Sequence, residues 1–188
     1  MGRTTTVTPQ RLLDAGLDII IRQGYAAVNI KTVAQAAGCS TQPIVWAFGN
    51  IENYRTALRR HATAYAQNKI QGNSSNHANS RAGYAYIDMA IDEPNLTRYL
   101  RSDEQDLRQS GGIAMIFDEQ ATLARRKFWE EALGVGPEDA QKFVDFCVVY
   151  TEGIVSMLLS DVLKPDKENA YRLLDEGGKA YAMYLTKG

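Results

Sequence analysis

Asn29-Ile30-Lys31-Thr32-Val33-Ala34-Gln35-Ala36-Ala37-Gly38-Cys39-Ser40-Thr41-Gln42-Pro43-Ile44-Val45-Trp46-Ala47-Phe48-Gly49 decides the fold. Asn29 has the side chain of a helix N-cap, and Ile30, Val33, Ala34 and Ala37 share one helical face behind it. Gly38 supplies the positive φ that ends the helix, and Cys39 offers a small apolar group inside a turn. Ser40 is placed to cap a second short helix, which Gly49 ends. Ile44 and Phe48, at i and i+4, anchor that helix inward and leave Thr41, Gln42, Val45 and Trp46 facing out. Two short helices joined by a glycine-containing turn describe a helix-turn-helix. The outward residues suit base edges in a major groove: glutamine pairs bidentately with adenine, and threonine or valine methyls meet thymine methyls. A helix start capped by Ser40 would also turn its N–H groups toward phosphates.

Working outward, Thr8-Pro9 reads as an N-cap followed by proline at the first helical position. Leu13, Leu17, Ile20 and Ile21 follow on one face, and Gly24 ends that helix. Asn50 caps a long helix reaching about Gln71. The polar run 72–80 reads as a loop. Beyond it the pattern predicts helices at about 81–93, 94–102, 111–133, 138–163 and 167–186, punctuated by Pro94, Gly111-Gly112, Gly134-Val135-Gly136-Pro137 and Pro165. Strand-like alternation and internal repeats are absent. The expected fold is all-α. An N-terminal three-helix domain (residues 1–50) carries the helix-turn-helix. A connecting helix (51–71) leads to a C-terminal helical bundle (72–188).

The charge distribution agrees with an anion-facing N-terminal third. Residues 1–60 carry seven Lys/Arg against three acids, whereas the rest carries 14 basic against 19 acidic residues, for a net charge of −1. Apolar residues make up 45% and charged residues 23%, a globular balance. The N-terminus lacks the apolar stretch of a signal peptide, and the longest apolar run, Phe143 to Leu163, is interrupted by Asp145, Glu152 and Asp161. The expectation is a cytoplasmic protein with no membrane partner. Cys39 and Cys147 read as small apolar fillers. Catalysis has no support: His61 and His77 stand alone, and no nucleophile elbow or phosphate loop occurs. Asp118-Glu119 and Glu130-Glu131 read as surface charge, and neither a metal nor a cofactor is called for. Arg55, Arg59 and Arg60 read as a solvated helix face.

The run Gly24-Tyr25, then Asn29 through Ser40, then Ile44 through Phe48, resembles the N-terminal domain of TetR-family transcriptional regulators. The resemblance covers residues 8 to about 60. It implies an all-helical homodimer, a third helix that enters the major groove of double-stranded DNA, and a body whose small-molecule effector alters DNA affinity. Family members often carry a tyrosine at Val45, a histidine at Ala47 and a lysine at Ile51. This chain has none of them, and Thr41 to Glu52 contains no basic residue. Pro43 disfavours the helical conformation at Gln42. Phosphate contacts therefore fall on Arg3, Arg11, Lys31 and the helix starts. The full DNA-facing set is Arg3, Arg11, Lys31, Thr32, Ser40, Thr41, Gln42, Pro43, Val45 and Trp46. The reading is a ligand-responsive repressor on a palindromic operator. The alternative is a helical small-molecule-binding or interaction protein without DNA affinity.

In the body, the segment 138–163 is apolar around most of its circumference, so it needs cover on every side, which a second subunit would provide. Mid-helix Gly177-Gly178 suggests a close helix crossing, since each glycine costs about 1 kcal/mol against alanine. The expected dimer face is Val144, Cys147, Thr151, Ile154, Leu158, Leu174, Gly177, Gly178 and Tyr181. The resemblance implies a pocket for an apolar or aromatic effector. Its expected lining is Tyr99, Met115, Phe117, Trp129, Phe146, Tyr150 and Glu152.

Overall fold

The structure, a computed structural model, describes residues 7–71, 78–102 and 119–187. Among these residues there are α-helices and one 3-10 turn but no strand, as an all-α fold requires. The helices are α1 (Pro9–Gln23), α2 (Ile30–Ala37), α3 (Gln42–Phe48), α4 (Ile51–Gln71), α5 (Ala78–Asp92), α6 (Pro94–Arg101), α7 (Glu119–Leu133), α8 (Pro137–Leu159) and α9 (Lys167–Lys187). The 3-10 turn spans Tyr25–Ala27. None of them is long and apolar enough to cross a membrane.

The chain divides into two compact units. Residues 7–65 and 95–102 belong to the first, and 66–71, 78–94 and 119–187 to the second. The divisions thus fall within α4 and at the start of α6, rather than at the polar run after Gln71.

The first unit begins as its capping residues dictate. Thr8 Oγ1 accepts from Arg11 N at 3.2 Å, with Pro9 opening α1. Asn50 Oδ1 accepts from Asn53 N at 2.8 Å to start α4. Leu12, Ile20, Val33, Ile44 and Leu58 are fully buried. Each such side chain contributes about 1.5–3 kcal/mol through removal from water. Gly16 lets α1 and α4 approach: a Cβ there would lie 2.1 Å from Tyr54 Oη. Tyr54 is wholly buried and donates to the Leu12 carbonyl at 2.9 Å.

Arg59 corrects a sequence expectation. Instead of facing solvent, it is 0% exposed and donates to the carbonyls of Tyr99 and Leu100. Both lie at the C-terminal end of α6, where a cation also suits the helix dipole, and the Tyr99 carbonyl accepts from Ser102 N at 3.2 Å and Ser102 Oγ at 2.7 Å as well. The guanidinium lies over the Tyr99 ring, 4.7 Å from its centroid, and Tyr99 stacks on Tyr25 at 4.7 Å.

In the second unit α8 packs against α5, α7 and α9. Ala140, Phe143, Val144, Thr151, Ile154, Val155 and Leu158 of α8 are buried, together with Tyr86, Ile87 and Met89 of α5. Lys167 Nζ bridges Asp88 at 3.1 Å and Asp92 at 2.7 Å, and Tyr171 hydrogen-bonds Asp88. Helix α8 stops at Leu159, four residues before the expected end. Ser160 Oγ donates back to the Ser156 carbonyl at 2.8 Å, and Asp161 takes a positive φ of 59°. That conformation, tolerable for aspartate, breaks the ladder and leaves Val162 exposed.

Candidate nucleic-acid interface

Helix α2 is held at both ends by local bonds. Asn29 Oδ1 accepts from Lys31 N at 3.0 Å and Thr32 N at 3.1 Å, and Asn29 N donates back to Thr32 Oγ1 at 3.0 Å. This reciprocal pair is a capping box. At the other end Gly38 sits at φ 67°, ψ 39°. Gly38 N bonds the Gln35 carbonyl at 3.1 Å and Cys39 N the Ala34 carbonyl at 2.9 Å. The two bonds make a Schellman turn, which aims the chain into α3.

The start of α3 departs from expectation. Its N-cap is Thr41, not Ser40, and no side chain caps it. The cause is Pro43 at the second helical position: it has no N–H to receive a cap, and the next donor, Ile44 N, already reaches the Thr41 carbonyl at 3.2 Å. Ile44 is fully buried and Phe48 packs edge-on against Tyr54 with centroids 5.1 Å apart. That anchoring turns Gln42, Val45 and Trp46 outward, with Trp46 76% exposed.

The remaining expected contacts separate into two groups. Ser40 and Thr41 are exposed at this turn, Lys31 is exposed in the first turn of α2, and Pro43 is half-buried. Arg11, exposed on α1, reaches the turn: its Nη2 lies 3.5 Å from where a Gly38 Cβ would stand. Thr32 is a correction. Its hydroxyl is taken up by the capping box and donates to the Ala27 carbonyl at 2.7 Å, so it positions α2 rather than presenting a free donor. Arg3 lies outside the described residues.

The second unit holds a cavity of about 340 Å³, walled by residues of α5, α7, α8 and α9. Trp129 lines it. Phe143 does so too, its ring 4.7 Å from that of Trp129. Four expected lining residues lie elsewhere. Tyr99 is packed in the first unit against Arg59 and Tyr25. Phe146 stacks on Tyr181 at 4.2 Å and on Tyr150 at 5.3 Å, outside the cavity wall. Glu152 accepts from Tyr86 OH at 2.9 Å, also outside it. Met115 and Phe117 lie outside the described residues.

The residues of the expected dimer face make their contacts within the chain. Val144, Cys147, Thr151, Leu174 and Gly178 line this cavity, and Ile154 and Leu158 are buried within the same chain. Gly177 makes its close crossing internally, against the Tyr150 ring. Tyr181 is half-buried in the aromatic stack. An amphipathic pattern spread around the whole helix does not say which stripe turns inward, and the most continuous stripe was taken by the chain's own core. The apolar surface left exposed is Val149 (73%) and Met157 on α8, with Met183 and Tyr184 (71%) on α9. Val149 was missed because a segment apolar around most of its circumference singles out no one face. Arg125 and Lys179, which also line the cavity, were missed because a charged residue in a helix reads as surface.

Comparison with known proteins agrees with this geometry. Residues 12–53 match the N-terminal family described as bacterial regulatory proteins, tetR family. No curated protein sequence matches the chain. Among solved structures, a transcriptional regulator from Rhodococcus sp. Rha1 has a TM-score of 0.64 at 14% identity, over 95% of this chain and 98% of its own. A TetR-family transcriptional regulator from Streptomyces coelicolor has a TM-score of 0.53 at 18% identity, over 94% and 98%. A further Rhodococcus sp. structure assigned to that family scores 0.65 at 15% identity, over 93% and 98%.

Proposed function

We propose that the chain, whose residues 12–53 match the tetR family of bacterial regulatory proteins, is a ligand-responsive transcriptional repressor of that family that binds a palindromic operator as a homodimer. The observation that carries this reading is the presentation of α3. A helix pinned by buried Ile44 holds Gln42, Val45 and Trp46 to solvent beside exposed Lys31 and Arg11. Lys31 and Arg11 supply sequence-independent affinity, and Gln42 and Trp46 read the groove. The few cations at the turn make the expected salt dependence shallow.

The exposed apolar face of α8 and α9 (Val149, Met157, Met183, Tyr184) supports dimerisation through that face. The two recognition helices of such a dimer must sit about 34–36 Å apart, or a multiple of that repeat. The cavity supports effector binding, and α4, which runs in sequence from the first unit into the second, is the continuous helix through which occupancy would misplace the half-sites. Operator and effector are then linked reciprocally.

The test is a mobility shift with DNA flanking the protein's own gene, in the cytoplasmic salt range. Lys31→Ala should weaken binding to all sequences and lower the salt slope by about 1. Gln42→Ala should relax preference at one base position, by about 1–3 kcal/mol. Binding no tighter to the flanking DNA than to random DNA would sink the proposal.

A further inference from the structure

We propose that the exposed face of α3 is a reader of 5-methyl groups: it recognises its half-site through thymine methyls in the major groove rather than through hydrogen bonds to guanine. This rests on the DNA-binding reading above and names what that surface reads. Val45, Trp46 and Ala47 are three consecutive exposed residues. None is charged, and only the Trp46 indole N–H can donate a side-chain hydrogen bond. Val45 is 46% exposed and Trp46 76%. Such a run is unfavourable in water unless something covers it. Buried Ile44 and the Phe48–Tyr54 contact pin the opposite side of the helix, so the face stays presented.

The cover must match the charges beside the face. Lys31 is exposed in the first turn of α2, and Arg11 Nη2 lies 3.5 Å from where a Gly38 Cβ would stand, at the turn before α3. The occupant therefore carries anionic charge at its margin and apolar groups at its centre. A major groove has that arrangement: phosphates run along both rims, and the thymine methyl is the apolar group on its floor. Its width of about 12 Å also suits a helix that is about 10–12 Å across with its side chains.

The donors on this face are few. Guanine presents two acceptors, N7 and O6, which arginine or lysine meets best. Helix α3 has neither residue. Its exposed side-chain donors are the Gln42 amide and the Trp46 indole. Gln42 suits adenine, and Gln42 and Val45, three apart, lie on one side of the helix, so that an adenine and a neighbouring thymine methyl can be met together. Val45 offers methyls alone. It cannot sense what a pyrimidine carries at its position 4, only whether position 5 bears a methyl.

The probe is the duplex that the full wild-type chain itself enriches from a randomised pool. Each thymine of its half-sites is replaced in turn by uracil, which differs only in lacking the 5-methyl group, and affinity is read by fluorescence anisotropy. We expect at least one thymine per half-site at which uracil weakens binding about fourfold, the loss of one buried methyl. At the thymine read by Val45, Val45→Ala should shrink that penalty below about twofold, whereas Gln42→Ala should leave it unchanged. A cytosine·guanine pair at the same position should weaken binding, and 5-methylcytosine in place of that cytosine should recover about fourfold. The uracil and methylcytosine arms keep the wild-type protein, so a variant that fails to fold does not remove the test.

Four outcomes would overturn the methyl assignment and leave the DNA-binding reading standing, provided the duplex is bound above random DNA. They are uracil tolerated at every position, enriched half-sites without thymine, a uracil penalty that Val45→Ala leaves intact at every position, and 5-methylcytosine bound no better than cytosine. Enrichment of no duplex would overturn both readings and point to an acidic protein surface as the occupant.

Discussion

Gly38 and Gly177 each sit where two helices meet, and each is glycine for a different reason. Gly38 needs its φ of 67°, and a Cβ there would meet nothing closer than 3.5 Å. Gly177 is helical and needs space: a Cβ would lie 2.3 Å from the Tyr150 ring. The turn at Gly38 is built from bonds among residues 34–39, so its geometry is encoded next to it. The crossing at Gly177 is set by a side chain 27 positions earlier, on another helix. Conformational demands are local; steric demands belong to the packed unit.

The sharpest way to break this contrast is on α8, where one helix has an inward and an outward valine. Val144→Asp should unfold the second unit, at about 4 kcal/mol or more for a buried unpaired charge. Val149→Asp should leave helicity and melting temperature nearly unchanged while shifting the proposed dimer toward monomer in light scattering. Equal effects at the two sites would contradict the assignment of faces.

Arg59→Ala comes next. It removes the buried donor to the Leu100 carbonyl and one of the donors to the Tyr99 carbonyl, at about 3 kcal/mol. Urea unfolding should show the loss, and a change within 1 kcal/mol would mean that Arg59 is not the clamp described.

Gly177→Ala should cost about 2 kcal/mol by overpacking, after about 1 kcal/mol of regained helix propensity is counted. Tyr150→Ala in the same chain should rescue it, because the clash is with that ring. Gly38→Ala should cost about 1–2 kcal/mol, from the left-handed backbone alone. Truncating Arg11, its nearest neighbour, should not rescue it, and a rescue there would show that Gly38 is steric after all.

The smallest effect is Asn29→Ala, about 1 kcal/mol from the lost cap. Thermal melts with Asn29→Asp as the conservative control check it, since aspartate keeps the accepting oxygen.

The sequence by itself determined the helix-turn-helix. Asn29, Gly38, Asn50 and Thr8 act on backbone groups within a few positions, so their chemistry and spacing suffice to place helix starts and stops. It also determined that Ile44 faces in and Trp46 out, because a seven-residue helix with two apolar anchors has one way to dock. The Ser40 cap failed for a local reason as well: the absent N–H of Pro43. Only the tertiary structure decided what Arg59 binds, since its partners lie about 40 positions away in sequence. It also decided which stripe of α8 lines the cavity and which stays exposed. Several apolar stripes on one helix are nearly equal in transfer free energy, so the choice among them falls to the shapes of the neighbouring helices. That complementarity exists only once α5, α7, α8 and α9 are packed together.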